Sequence, residues 1–219
     1  MRKVELVIFD MDGLIFDSEK VSYDSWVEAA KIFNINFDMK IFYKLLGTNH
    51  ESVRNTLIDE FGDKINIDDY IEERRKINFS KIANGVERKE GVEELLEYLT
   101  EKNIKKAVAT SSNRELALNL LSKADILHYF DYVLCGDEVT KSKPDPEVFL
   151  NVAKKLKVNP ENCMVLEDSE AGTIAGSRGR MKVIIIPDLK EPDEDIVRLA
   201  YKRLNNLKEV INEIETINL

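Results

Sequence analysis

Five short apolar runs recur at wide spacing along the chain, at residues 4–9, 104–109, 132–135, 163–166 and 183–186. A run of four to six mostly apolar residues bounded by polar ones reads as a strand buried on both faces, the form strands take inside a parallel sheet. Between the runs the apolar positions change period. Val92, Leu95, Leu96 and Leu99, then Leu116, Leu120 and Leu121, then Val148, Phe149, Val152 and Leu156 fall at three- and four-residue spacing, which gathers them on one side of a helix. Strand alternating with helix predicts an α/β fold built on a doubly wound parallel sheet.

Residues 18–84 break this rhythm. Helical spacing continues there (Trp26, Val27, Ala30, Phe33; Val53, Leu57, Ile58, Phe61; Tyr70, Ile71, Ile77), but no strand-like run interrupts it. The segment reads as an inserted α-helical domain. Residues 1–16 and 85–219 are then the α/β core, residues 17–84 the insertion after the first strand, and Asn84-Gly85 the turn at which the core resumes. The segment from Pro192 onward, with Ile196, Leu199, Ala200, Leu204, Leu207, Val210, Ile211 and Ile214, reads as helices packed on the sheet.

In open α/β sheets ligands collect at the carboxyl ends of the strands, and here the runs lead into polar residues. The first is followed by Asp10, Met11, Asp12 and Gly13, and the second by Thr110, Ser111, Ser112 and Asn113. The third leads to Gly136-Asp137 and on to Lys143-Pro144, and the fourth to Glu167, Asp168 and Ser169. Asp10 and Asp12 straddle one residue, so in a continued strand their side chains share a face, and Gly13 permits a sharp exit. Carboxylates this close repel unless a cation or a proton stands between them. A single Asp at a strand end reads as a turn or a helix cap, but Glu167 and Asp168 arrive from another strand, and the combined cluster suits a hard cation such as Mg²⁺. Thr110 and the Ser111, Ser112, Asn113 run offer hydroxyls, an amide and the free N–H groups of the next helix to an anion. Taken alone, though, the run is an ordinary helix start with Asn113 as its cap. Lys143, between polar residues and before Pro144, reads by itself as a solvated lysine.

Composition narrows the classes. The 219 residues carry 32 Lys and Arg against 41 Asp and Glu, a net charge of -9. That balance argues against a general nucleic-acid binder, which needs a basic field, and leaves a small anionic substrate admissible. Cys135 and Cys163 lie inside apolar runs, where buried thiols are expected. The run at 6–9 is cut off by Asp10, too short for a signal-peptide core or for the roughly 18 residues that span a bilayer. A cytoplasmic, soluble monomer with no membrane partner is the expectation.

Four of these segments carry a resemblance when taken together and in order. They are Asp10-Met11-Asp12-Gly13-Leu14, Thr110-Ser111-Ser112-Asn113, Lys143-Pro144-Asp145-Pro146 and Glu167-Asp168-Ser169-Glu170-Ala171-Gly172. Over nearly its whole length the chain resembles the haloacid dehalogenase-like hydrolase superfamily, with its Rossmann-like core. The insertion is similar to the small α-helical cap of the β-phosphoglucomutase-like phosphatases. The resemblance implies that Asp10 is a nucleophile that takes a phosphoryl group, and that Asp12 protonates the leaving alcohol and then activates water. It implies Mg²⁺ bound through the Asp10 carboxylate, the Asp12 main-chain carbonyl and Asp168, with Glu167 as a further or more distant ligand. Lys143 and Thr110 would hold the phosphoryl oxygens, with Ser111 and Asn113 assisting. Gly47, Thr48 and Asn49 of the cap, with His50 beside them, would face a small phosphorylated metabolite, expected to be a sugar phosphate.

Departures refine the expectation. Ser22 stands where the mutase members carry a histidine, so hydrolysis is expected ahead of a β-phosphoglucomutase-type phosphosugar mutase. The intact Asp10, Asp12, Lys143 and Asp168 weigh against a third reading, a non-catalytic phosphometabolite-binding protein. Arg180 stands where the family ends a helix with glycine, and a left-handed backbone there costs a side-chain-bearing residue about 1 kcal/mol. Glu90 replaces a usual proline. Arg74, Arg75 and Lys76 on a cap helix read first as a solvent-facing basic stripe and second as a group that steers an anion, and His128 is given no role.

Overall fold

The computed structural model describes residues 3–46 and 50–219. Six strands, β1 (Leu6–Phe9), β2 (Lys105–Ala109), β3 (Tyr132–Leu134), β4 (Cys163–Glu167), β5 (Lys182–Ile185) and β6 (Lys202–Arg203), form one sheet in the order β3-β2-β1-β4-β5-β6. Every neighbouring pair is parallel. Four helices, α1 (Ser18–Ile32), α2 (Met39–Leu45), α3 (His50–Phe61) and α4 (Ile67–Ala83), follow β1. Six more alternate with or follow the remaining strands: α5 (Val92–Glu101), α6 (Arg114–Lys123), α7 (Glu147–Leu156), α8 (Glu170–Arg178), α9 (Glu194–Val197) and α10 (Lys208–Asn218). The chain divides into two compact units, one of Met1–Asp17 with Glu87–Leu219 and one of Ser18–Val86.

The sheet unit is organised around β1. All four of its residues are fully buried, which only a central strand covered on both faces allows. Leu6 and Ile8 enter one cluster with Ala107, Ala109, Val165 and the Val148, Phe149 and Val152 stripe of α7, while Val7 and Phe9 alternate to the other face. From β1 the chain reaches β2 and β3 on one side, then crosses back to β4 and β5 on the other. The strand order reverses at β1, and such a reversal opens a crevice at the carboxyl ends of the strands. Asp10 prolongs β1 into that crevice, its N–H bonded to the Leu166 carbonyl at 3.0 Å. A tight turn follows, closed by bonds from the Gly13 N–H to the Phe16 carbonyl and from the Ile15 and Phe16 N–H groups to the Met11 carbonyl.

The helical unit has an aromatic core of its own. Trp26 of α1 stacks on Phe37 at 5.6 Å between ring centroids and meets Tyr70 of α4 at 5.2 Å, and the Tyr70 hydroxyl donates to the Trp26 carbonyl at 3.0 Å. Asp38 caps α2 and Asn66 caps α4, each accepting two main-chain N–H bonds.

The structure corrects the expectation for the C-terminal segment. The stretch after Pro192 holds the four-residue α9, the edge strand β6 and only then the long helix α10. Leu199 is exposed, so its spacing with Ile196 marks no buried helix stripe. Instead the Tyr201 N–H bonds the Val183 carbonyl at 2.8 Å and the Leu204 N–H the Ile185 carbonyl at 3.0 Å. A strand spelled Lys202–Arg203 at a sheet edge has no apolar run to betray it. Cys135 and Cys163 are free and buried, as expected. No helix among the described residues is long and apolar enough to cross a membrane.

Arg180 adopts the left-handed backbone anticipated for it, with φ of 57°. The Arg180 N–H bonds the Ser177 carbonyl and the Met181 N–H the Gly176 carbonyl, a pairing that closes helix ends where the residue after the cap is left-handed. Gly179 sits one position too early, at an ordinary φ of -72°. Arg180→Gly is therefore expected to raise stability by about 1 kcal/mol, measured by urea unfolding at constant m-value; an unchanged or lowered midpoint would show that the arginine side chain compensates its backbone.

Candidate active site

The adjacent ends of β1 and β4 bring the acidic residues together. Asp10, Glu167 and Asp168 offer ligand oxygens that all lie within 4.8 Å of one another. Into this cluster reaches Lys143, from the loop before α7. Its Nζ donates to Asp10 Oδ1, to Glu167 Oε1 at 2.6 Å and to the Ala109 carbonyl at 3.1 Å, and lies 5.0 Å over the Phe149 ring. The Lys143 side chain is 7% exposed, so it is a buried bridge and not the solvated lysine its sequence neighbours predict. Glu167 is held at its other oxygen by the Ser169 hydroxyl at 2.8 Å and N–H at 3.2 Å, and Ser169 also caps α8.

Close backbone approach makes this packing possible at two glycines. At Gly172 in the first turn of α8, a Cβ would stand 1.8 Å from Glu167 Oε1; at Gly13, with φ of 82°, it would stand 2.1 Å from Asp168 Oδ2. Any side chain at either position would expel a carboxylate from the cluster.

The electrostatics follow from burial and crowding. Burial pushes the Asp10 carboxyl up to about 7, with Glu167 and Asp12 adding to the rise and Lys143 opposing it. Burial, then Asp10 and Glu167, hold the Asp168 carboxyl well above the usual range. Burial alone would lower Lys143, but the Asp10 and Glu167 carboxylates outweigh it and keep the ammonium above its ordinary value. Three carboxylates around one lysine leave an excess of negative charge. An oxygen-only donor set with that excess, in a cradle kept open by Gly13, fits a hard divalent cation.

The remaining residues named from sequence fall as follows. Asp12 Oδ2 accepts from the Ser112 hydroxyl at 2.8 Å and lies 3.4 Å from the Thr110 hydroxyl, while Thr110 Oγ1 accepts from the Ser112 N–H at 3.0 Å. Ser112, one hydroxyl of the polar run read as an anion cradle, is thus the member of that run that bonds Asp12 at the shorter distance. Ser111 is exposed at the same strand end, and Asn113 caps α6 by accepting from the Leu116 N–H at 2.9 Å. Gly47, Thr48 and Asn49 lie outside the described residues.

Within the helical unit, a cavity of about 530 Å³ is lined by Ser22, Trp26, His50, Arg74 and Arg75 among others. Arg75 and Lys76 are exposed, in line with a basic stripe, but Arg74 is not part of it. Its guanidinium lies 4.9 Å over the Trp26 ring and donates to Ser22 Oγ at 2.5 Å, while its Nε is buried without a partner. Burial lowers its pKa.

The central strand of a parallel sheet thus delivers a buried aspartate to a lysine-bridged acidic cluster. A sequence profile of the haloacid dehalogenase-like hydrolases matches residues 7–186, and the chain belongs to that family. It is 33% identical over 218 residues to the phosphorylated carbohydrates phosphatase of Thermotoga maritima, covering 98% of this chain and 100% of that protein. It is 28% identical to the fructose-1-phosphate phosphatase of Escherichia coli, over 81% of this chain and 94% of that one. The crystal structure of the β-phosphoglucomutase from Clostridium difficile superposes with a TM-score of 0.69 at 28% identity, covering 97% of each chain.

The raised Asp10 pKa makes the cation-free protein sensitive to pH. Folded Asp10 holds its proton to about 7, whereas the unfolded group releases it near its ordinary value of 3.8, so folding is favoured below this window and loses that contribution as pH rises through it. In a chelator, the wild-type melting temperature is expected to fall more between pH 4 and pH 7 than that of Asp10→Asn, and a divalent cation to stabilise the wild type more at the upper end. Parallel curves for the two proteins would contradict the assignment.

Proposed function

We propose that the protein is a Mg²⁺-dependent phosphomonoesterase that acts on a small sugar phosphate through a phosphoryl group carried on Asp10. The observation that carries the reading is the contact of Lys143 with both Asp10 and Glu167, because it places a fixed positive charge against the nucleophile at the crevice. Support for the reaction type comes from family membership, and for the substrate class from the names of the relatives.

Asp10, Asp168 and the Asp12 main-chain carbonyl would hold the cation, with Glu167 engaged by Lys143 and Ser169 behind them. The cation supplies charge neutralisation, which lets Asp10 stay ionised at neutral pH and offsets the charge of the incoming phosphate. The Asp10 carboxylate attacks phosphorus, and the ester oxygen leaves with a proton from Asp12, whose Oδ2 is steadied by Ser112. Asp12 then takes a proton from water, the water oxygen bonds to phosphorus, and Asp10 departs as carboxylate with release of phosphate. Lys143 meets the transferring oxygens, Thr110 steadies the strand end beside them, and Ser111 and Asn113 border them at β2. Substrate choice is assigned to the helical unit, whose cavity offers the Arg74 guanidinium, Ser22, His50 and the Trp26 face to polar groups.

The mutase alternative is disfavoured by the serine at position 22. The test is a panel of sugar and other small phosphomonoesters, incubated with and without Mg²⁺, with sugar products resolved beside free phosphate. Metal-dependent phosphate release is expected, and Asp10→Asn, folded by circular dichroism, is expected to lose at least 10³-fold in rate, on the order of the loss of a nucleophile. Conversion of one sugar phosphate to another without phosphate release would reverse the reading in favour of the mutase.

A further inference from the structure

Asp188 lies three residues beyond β5, on the loop that leaves the same carboxyl end of the sheet as Glu167 and Asp168. Its side chain is 8% exposed. One oxygen accepts from the Lys89 ammonium; the other, Oδ2, is buried with no hydrogen-bond partner. A carboxylate oxygen withdrawn from water is costly to leave unpaired, so an isolated instance calls for a partner.

The position of that oxygen identifies the partner. A Cβ placed on Gly13 would stand 2.1 Å from Asp168 Oδ2 and 3.5 Å from Asp188 Oδ2, so both carboxylates converge on the bare face of one glycine. Both sides of the arrangement are anchored. The Lys89 N–H bonds the Ile15 carbonyl at 2.8 Å, tying the lysine to the turn that carries Gly13, and the Ile186 N–H bonds the Glu167 carbonyl at 2.7 Å, tying the Asp188 loop to the acidic strand end. The charged neighbours of Asp188 are Lys89, Asp168 and Asp17. Asp188 is not among the three residues whose ligand oxygens lie within 4.8 Å of one another, so it stands outside the inner donor set.

We propose that Asp188 is an outer carboxylate of the cation centre, its free Oδ2 accepting a hydrogen bond from the hydration shell of the divalent ion, and that the Lys89 ammonium offsets part of its charge. The proposal rests on the cation reading given above. Magnesium keeps several waters when bound by proteins, and those waters require acceptors beyond the direct ligands. Lys89 also moderates the site, since a fourth unbalanced carboxylate would add to the repulsion around Asp168.

The test is isothermal titration of the full-length chain with Mg²⁺ at pH 7.5, for the wild type, Asp188→Asn and Lys89→Met, with melting temperatures recorded in chelator. Asp188→Asn is expected to weaken Mg²⁺ binding about tenfold, the lower end of the effect of losing an outer-sphere partner, without lowering the chelator melting temperature. Lys89→Met is expected to tighten Mg²⁺ binding, because it removes a positive charge and leaves the carboxylate. Opposite shifts are the signature of the proposed role, and if Asp188→Asn fails to fold, the tightening expected of Lys89→Met still tests it, unchanged or weakened binding overturning it. A pair that serves only the fold would lower the melting temperature in both variants and leave the Mg²⁺ affinities within twofold of wild type, which would overturn the proposal. Saturable wild-type Mg²⁺ binding with unaltered variants would sink this inference alone, whereas no wild-type Mg²⁺ binding would sink it together with the cation reading.

Discussion

The Lys143 ammonium, buried between Asp10 and Glu167, is the contact on which the rest of the site depends. Without it, Asp10, Glu167 and Asp168 would be three carboxylates out of water within a few ångströms, and each would be driven toward its neutral, non-nucleophilic form. With it, the cluster is only partly compensated. Burial first, and then the remaining negative charge, shift Asp10 and Asp168 toward their protonated forms, and that charge is also what a divalent ion would bind. A buried ion pair of this kind contributes little to net stability, because desolvation consumes most of the Coulombic gain. Its presence in the core is therefore better understood as a requirement of chemistry than of folding.

The fold supplies the convergence that this arrangement needs. Asp10 and the Glu167-Asp168 pair come from adjacent strands, β1 and β4, and Lys143 arrives from the loop that follows β3. Only where the winding of the sheet reverses do these ends leave a crevice. Gly13 and Gly172 then let main chain pass against the carboxylates, so the density of the site depends on the absence of two side chains as much as on the presence of four. The same principle extends outward to Asp188, whose Oδ2 shares the bare face of Gly13 with Asp168.

Much of this was legible in the order of residues. The five apolar runs all became strands, shifted by a residue or two at their ends, because burial on both faces leaves a continuous apolar signature. The polar residues after them became the crevice because topology places strand ends together. What escaped has a common cause. Lys143 looked solvated because its neighbours Ser142 and Pro144 say nothing about Asp10, 133 residues away. Ser112 was one hydroxyl among several, and only the turn after β2 selects it for Asp12. Asp188 carries no motif at all, and its interest lies in an unpaired oxygen that exists only in three dimensions. Strand β6 is two charged residues long and is made by pairing with β5, not by its own pattern. Arg74 was read with Arg75 and Lys76 as one stripe, although a helix turns 100° per residue and sends the first toward Trp26.

The family to which the chain belongs includes proteins named as phosphatases, and a β-phosphoglucomutase is among its structural relatives. The account stands or falls on whether Asp10 carries the phosphoryl group. The direct measurement is the stereochemical course at phosphorus, with a chiral ¹⁸O-labelled phosphorothioate ester of a sugar that the enzyme turns over, hydrolysed in ¹⁷O water. Two successive in-line displacements, on and off Asp10, predict net retention of configuration. Inversion would mean that water attacks the ester directly, and would contradict the account.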